Sequence, residues 1–185
     1  MHIQQIALGL INVVGGTLVL ASYIHGVLAH PDTRADAWGG VPAGLKPFYF
    51  ISMLLAAAGY FAFTYFILFR LDPDEVKIGN ACSFQLFHAI YALILFPSTL
   101  WMPLTFAMLE HPSSALWWAI RVTLAVVGLA SLALLAVLLI LGPSDSTSLY
   151  WLAVAGSAAF CIQTAVLDML VWPAYFPVKS QNSNR

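Results

Sequence analysis

Five long apolar stretches restrict what this chain can fold into more than any motif does. They run over about Ile6–Leu28, Pro47–Phe69, Ala81–Leu109, Ala115–Leu141 and Leu149–Trp172. At about 1.5 Å of rise per residue, each is long enough as an α-helix to cross roughly 30 Å of hydrocarbon. A lipid-exposed segment must satisfy its own backbone hydrogen bonds, which a helix does and an open strand does not. The composition agrees, with 61% of the 185 residues hydrophobic and 8% charged, where soluble domains carry roughly 25% charge. The expected fold is therefore all-α: an integral membrane bundle of five transmembrane helices, forming one domain over residues 1–185. No Lys or Arg precedes the first apolar run and no small-residue cleavage motif follows it, so it is expected to be a retained helix rather than a signal peptide.

The connections carry the polar punctuation: HPDTRADAWGGVPAGLK, RLDPDEVKIGN, EHPSS and GPSDSTS. Three are short, so consecutive helices should pack antiparallel. The first, over residues 29–46, is the longest and should fold over one mouth of the bundle. On its side lie Arg34, Lys46, Lys179 and Arg185, with Arg121 leaning the same way, against Arg70 and Lys77 on the other. Positive charge favours the inner face of a membrane, which predicts the N-terminus out and the C-terminus in. The net charge of -1 and the absence of basic clusters give no footprint for nucleic acid. Cys82 and Cys161 form no metal-ligand spacing and are expected as buried thiols.

Asp168 is the carboxylate set deepest in an apolar stretch, and charge at that depth costs roughly 2.5–3.5 kcal/mol on insertion scales. Such a group should face the bundle interior and find a partner. Arg121 lies at a similar depth on the preceding helix, and its planar fork suits a desolvated carboxylate, so an Arg121–Asp168 ion pair is expected, the alternative being Arg121 snorkelling to lipid phosphate while Asp168 caps a small wet cavity. With α-helical spacing, Thr164 and Trp172 would share the face of Asp168. Pro97 and Pro103 free backbone carbonyls in the third segment and favour a polar-lined crevice beside it.

The histidines do not suit haem: His25 and His88 should differ in depth by about 15 Å, too far for two axial ligands of one iron. His25, near Tyr23 and below the long loop, is the better pocket candidate, and His88 reads as a satisfied interior side chain. Trp117, Trp118, Tyr150, Trp151 and Trp172 lie where an interfacial aromatic belt would form. Trp38, in the long loop, and Trp101, inside the third segment, are the tryptophans expected to touch a ligand. Gly15–Gly16 and Ala153–Gly156 offer small faces for close helix packing. No GxSxG, HExxH or phosphate-binding glycine loop occurs, so nothing points to catalysis.

Three stretches resemble the TspO/MBR family, the tryptophan-rich sensory proteins related to the mitochondrial translocator. WGGVPAGLKPFYF is similar to the family's approach to its second helix, and SFQLFHAIYALILFPSTLWMPLTF resembles its third, with Trp101 at a family tryptophan. AVLDMLVW resembles the family's A-x-x-LN-x-x-IW, placing Asp168 at the asparagine and Trp172 at the tryptophan. The second helix departs from the pattern, with GYFAFTY where the family has a tryptophan. The resemblance implies an intramembrane pocket for a hydrophobic ligand such as a porphyrin, haem or a sterol, covered by the first loop, and a homodimer.

The expected function is binding or transport of a tetrapyrrole or sterol-like molecule, with Trp38, Trp101, Arg121, Asp168 and Trp172 as walls and His25 near the mouth. Two alternatives stand beside it: a non-catalytic subunit assembling in a larger membrane complex, and a proton-coupled carrier using Asp168.

Overall fold

A computed structural model describes residues 2–76, 83–143 and 147–176. It contains five long helices: α1 (Ile3–Ala29), α2 (Lys46–Phe69), α3 (Gln85–Glu110), α4 (Ser114–Leu141) and α5 (Thr147–Tyr175). All five are long and apolar enough to span a membrane, and no strand occurs among the described residues. The expected start of the third segment at Ala81, with Lys77, Cys82, Lys179 and Arg185, lies outside the described residues.

Local chemistry sets the helix ends. His2 caps α1, accepting from the Gln4 N–H at 3.3 Å, while the Gln5 side chain accepts from the His2 N–H at 2.9 Å. Pro47 occupies the first turn of α2, where its missing N–H has no intrahelical role. Ser113 Oγ accepts from the Leu116 N–H at the start of α4, and Gly142, at φ +71°, ends it. Pro97 and Pro103 sit within α3, which continues as a helix through both.

The helices form a partly open ring. α2 packs along α5, α5 against α4, α4 along α3 and α3 along α1, whereas α1 and α2 scarcely touch. Glycines decide how close these pairs come. A Cβ on Gly156 would lie 2.7 Å from the Gly59 Cα, so α2 and α5 meet backbone to backbone. A Cβ on Gly15 would lie 2.7 Å from Leu95 Cβ, and one on Gly26 would lie 2.8 Å from the Phe106 ring, seating α1 on α3. Gly16, next in sequence, has nothing within 4 Å and borders open space. The small faces expected at Gly15 and Gly156 are thus packing faces; Gly16 is not.

Apolar packing divides into two clusters. One includes Phe63, Phe66, Phe87, Tyr91 and Leu134; the other, beneath the first loop, includes Val41, Tyr49, Ile120, Leu167 and Trp172. Buried polar groups pair across helices: Tyr60 Oη donates to Asn12 at 2.5 Å, Thr64 bonds Tyr91 at 2.9 Å, and Thr164 Oγ1 donates to Ser131 at 2.8 Å. His88 Nε2 meets the Gln4 carbonyl at 2.8 Å, as a satisfied interior histidine does. At the loop side, His30 stacks on Phe106 at 4.1 Å and approaches Glu110 at 3.2 Å, joining the ends of α1 and α3. Tyr150 is buried, with its hydroxyl donating to the Leu138 carbonyl, rather than lying in an aromatic belt.

Replacing Gly156 with valine would force α2 and α5 apart. Gly156→Val should lower stability by about 3 kcal/mol, the upper range for overpacking, seen as a fall of several degrees in thermal unfolding in detergent. Gly9→Ala, with nothing near its added Cβ, should leave the midpoint in place.

Candidate functional site

The open side of the ring leads into a cavity of about 680 Å³ walled by all five helices. Its lining runs from Asn12 to Tyr23 on α1 and from Met53 to Thr64 on α2. Either span gives a length of about 16 Å by helical rise. Val13 and Leu20 on α1 and Phe61 on α2 belong to this lining and are nevertheless 67%, 66% and 73% exposed. The cavity therefore opens sideways, through the α1–α2 seam, at the level of the apolar helix surfaces.

Its walls are mostly aliphatic and aromatic; Thr17, Ser98, Thr123 and Thr164 also line them, and further polar groups stand at each end. At the end far from the first loop, Asn12, Tyr60 and Thr64 are hydrogen-bonded, as given above. At the loop end lie Tyr23, Trp101, Gln163 and Asp168, and here the pairing is incomplete. Gln163 Nε2 donates to Asp168 Oδ1 at 2.8 Å. The Gln163 Oε1 and the Trp101 Nε1 are both buried without a hydrogen-bond partner. An unpaired polar atom in an apolar interior costs about 1–3 kcal/mol, so two at one end of one cavity mark it out.

The backbone of α5 produces this arrangement. From Ile162 to Val171 it winds as a π-helix, and the Trp172 N–H bonds the Leu167 carbonyl five residues back. In an α-helix, residues five apart point about 140° away from each other; the wider winding brings Gln163 and Asp168 to one face. Pro173 follows directly, and in an α-helix its ring would meet the Met169 carbonyl. The Tyr49 hydroxyl donates to the Leu167 carbonyl at 3.1 Å inside the widened stretch. Wide turns of this kind are rare and concentrate at functional sites.

This winding corrects the expected surroundings of Asp168. Its hydrogen-bond partner is Gln163, five residues back, whereas Thr164 turns its hydroxyl to Ser131 on α4. The Arg121–Asp168 ion pair does not form: Arg121 is exposed on the outer surface, its guanidinium 5.9 Å from the Trp117 ring centre and 5.6 Å from that of Trp118. Arg121 lines neither this cavity nor its neighbour. His25 is likewise exposed and off the cavity, with its ring 6.5 Å from His30. The crevice beside α3 is present, although Ser98 and Trp101 are the polar residues α3 gives it.

Trp38, Trp101, Asp168 and Trp172 do come together, around a smaller chamber of about 120 Å³ beneath the first loop. Trp172 Nε1 donates to the Ala37 carbonyl at 3.1 Å, and the Gly40 N–H donates to the Tyr175 carbonyl at 2.8 Å. A Cβ on Gly40 would lie 2.6 Å from that carbonyl oxygen, which is why the loop needs glycine there. Trp38 meets Tyr49 edge-on at 5.9 Å, and Lys46 lies 5.7 Å from its ring centre. The loop is thus fastened over the bundle end. Trp101 stands between both spaces, 5.6 Å from the Tyr23 ring and 5.9 Å from Trp172. Among the described residues, no group of three or more His, Cys, Asp or Glu side chains is placed to hold a metal.

Trp172→Phe keeps the ring contacts and removes the bond to Ala37. Losing about 1 kcal/mol there should raise the open population of the loop about fivefold, read as faster tryptic cleavage after Arg34.

No protein-family model, curated protein or solved structure matches this chain.

Proposed function

We propose that this membrane bundle binds a hydrophobic small molecule, for storage, sensing or transfer, in the cavity between α1 and α2. The observation that carries the reading is the cavity itself: about 680 Å³, apolar along its walls, with unsatisfied polar atoms at one end. Ligand sites have this make-up, a large apolar surface for affinity and a few placed polar groups for orientation. The fastened first loop covers the bundle end, and the seam leaves the flank open, so the ligand would arrive from the bilayer. In the orientation favoured by positive charge, the loop end faces inward.

Of the two ligand classes that the TspO/MBR resemblance implies, the lining favours a sterol-like body over a tetrapyrrole. A porphyrin's propionates need cations, and no Arg, Lys or His lines either space among the described residues. Arg121, expected as a wall of the pocket, lies outside.

Gly16→Leu tests the reading without disturbing the packing, because the new side chain would grow into the cavity. Energy transfer from tryptophan to the fluorescent sterol dehydroergosterol should be saturable in the wild type. Filling part of the cavity should weaken it about tenfold, the effect of about 1.4 kcal/mol, with thermal stability unchanged. His25→Ala and Arg121→Ala should bind as the wild type does. Non-saturable transfer, indifferent to Gly16→Leu, would move the reading to a subunit of a larger membrane assembly.

A further inference from the structure

The loop end of the cavity holds more acceptor capacity than its own donors use. Asp168 engages Gln163 through Oδ1, and no second hydrogen bond reaches its carboxyl group among the described residues. Gln163 gives one of its two amide N–H groups to Asp168, and its unpaired atom is the carbonyl oxygen Oε1, an acceptor. Gln163 is only 7% exposed and lines the cavity. Two acceptor groups, one of them acidic, therefore stand at this end of an apolar chamber.

Charge inside a membrane protein is almost always matched by a counter-charge. This bundle provides none: no Lys, Arg or His side chain lines the cavity among the described residues, and the nearest expected candidate, Arg121, faces outward over Trp117 and Trp118. The aromatic rings of Tyr23, Tyr60 and Trp101 also border the space, and aromatic faces attract cations, more strongly where water is excluded. We infer that the cavity takes a lipophilic amine, whose ammonium group is bound by Asp168 and Gln163 and whose apolar body lies along the α1–α2 seam. This rests on the ligand-binding reading above and narrows its substrate class.

One group speaks for a different head. Trp101 Nε1 is an unpaired donor, and a hydroxyl would satisfy it where an ammonium would not. The ammonium answers two acceptors and the missing charge; the alcohol answers one acceptor and one donor. In a low-dielectric site the charge is the larger contribution. An alcohol of the same body should therefore bind more weakly than the amine, and a carboxylic acid more weakly than either.

Calorimetric titration of the purified protein in non-ionic micelles with aminocholestane, cholestanol and cholestanecarboxylic acid separates these cases, since the three share one body. The amine should bind about tenfold tighter than the alcohol, at the low end of measured charge-pair couplings, with the acid weakest. Asp168→Asn should bring the amine to the level of the alcohol and leave the alcohol's affinity in place. The wild-type order tests the inference even if that variant does not fold. An amine no tighter than the alcohol, or an amine preference that survives in folded Asp168→Asn, overturns the amine assignment and leaves ligand binding standing. No saturable heat with any of the three overturns both.

Discussion

The bond between Gln163 and Asp168 exists because the last third of α5 is wound wider than an α-helix, and the cavity's chemistry depends on it. In hydrocarbon a polar side chain has no water to fall back on, so each must find its partner within the protein. Most do: Tyr60 has Asn12, Thr64 has Tyr91, Thr164 has Ser131 and Tyr49 has the Leu167 carbonyl. The widened stretch gives Asp168 an amide instead of a cation, and leaves the amide's own oxygen unpaired. The buried unpaired atoms on the cavity wall thus gather at one end, which is how a binding site differs from a core.

The same economy of small residues that joins the helices also opens the cavity. Gly59 and Gly156 bring α2 onto α5 backbone to backbone, drawing α2 away from the first helix. Gly15 and Gly26 seat α1 on Leu95, Met102 and Phe106 of α3. With α1 and α2 held to different neighbours, they meet at little more than the Tyr60–Asn12 hydrogen bond, and the seam stays open along Val13, Leu20 and Phe61. Gly16 then faces the opening rather than a partner helix.

Helix number, apolar length and the loop over the bundle end were legible in the sequence, because hydrocarbon thickness and backbone satisfaction leave few alternatives. Trp38, Trp101, Asp168 and Trp172, which border one chamber, were named together on other grounds: Trp38 and Trp101 for their settings, Asp168 for its charge in an apolar stretch, and Trp172 for its spacing from Asp168 and the family resemblance. Depth, however, says nothing about direction around a helix. Arg121 matches Asp168 in depth and faces outward, while Thr123 and Leu124 face the cavity. His25 and Tyr23 are two residues apart, about 200° around an α-helix, so the histidine is exposed where the tyrosine lines the wall. Gln163 was visible near Asp168 in the sequence, but an α-helical period puts it on another face, so it was left out of the site. Tyr150 looked interfacial by position, and its hydroxyl finds a backbone carbonyl inside instead.

Access to the cavity follows from which sides are closed. The loop end is held by the Trp172–Ala37 and Gly40–Tyr175 bonds, and the opposite end by the Tyr60–Asn12 and Thr64–Tyr91 pairs. The remaining side faces lipid. Asp168 lies seven residues before the end of α5 at Tyr175, about 10 Å by helical rise, a depth near the boundary where a leaflet holds the heads of its own amphiphiles. In the proposed reading, a molecule sliding in from that leaflet would keep its polar head near one depth throughout. Its body would never leave an apolar medium, and its head would exchange the interface for Asp168 and Gln163. The barrier that makes transfer of an amphiphile through water slow would then not arise, so a cavity open on its flank needs no large rearrangement to load or to release its ligand.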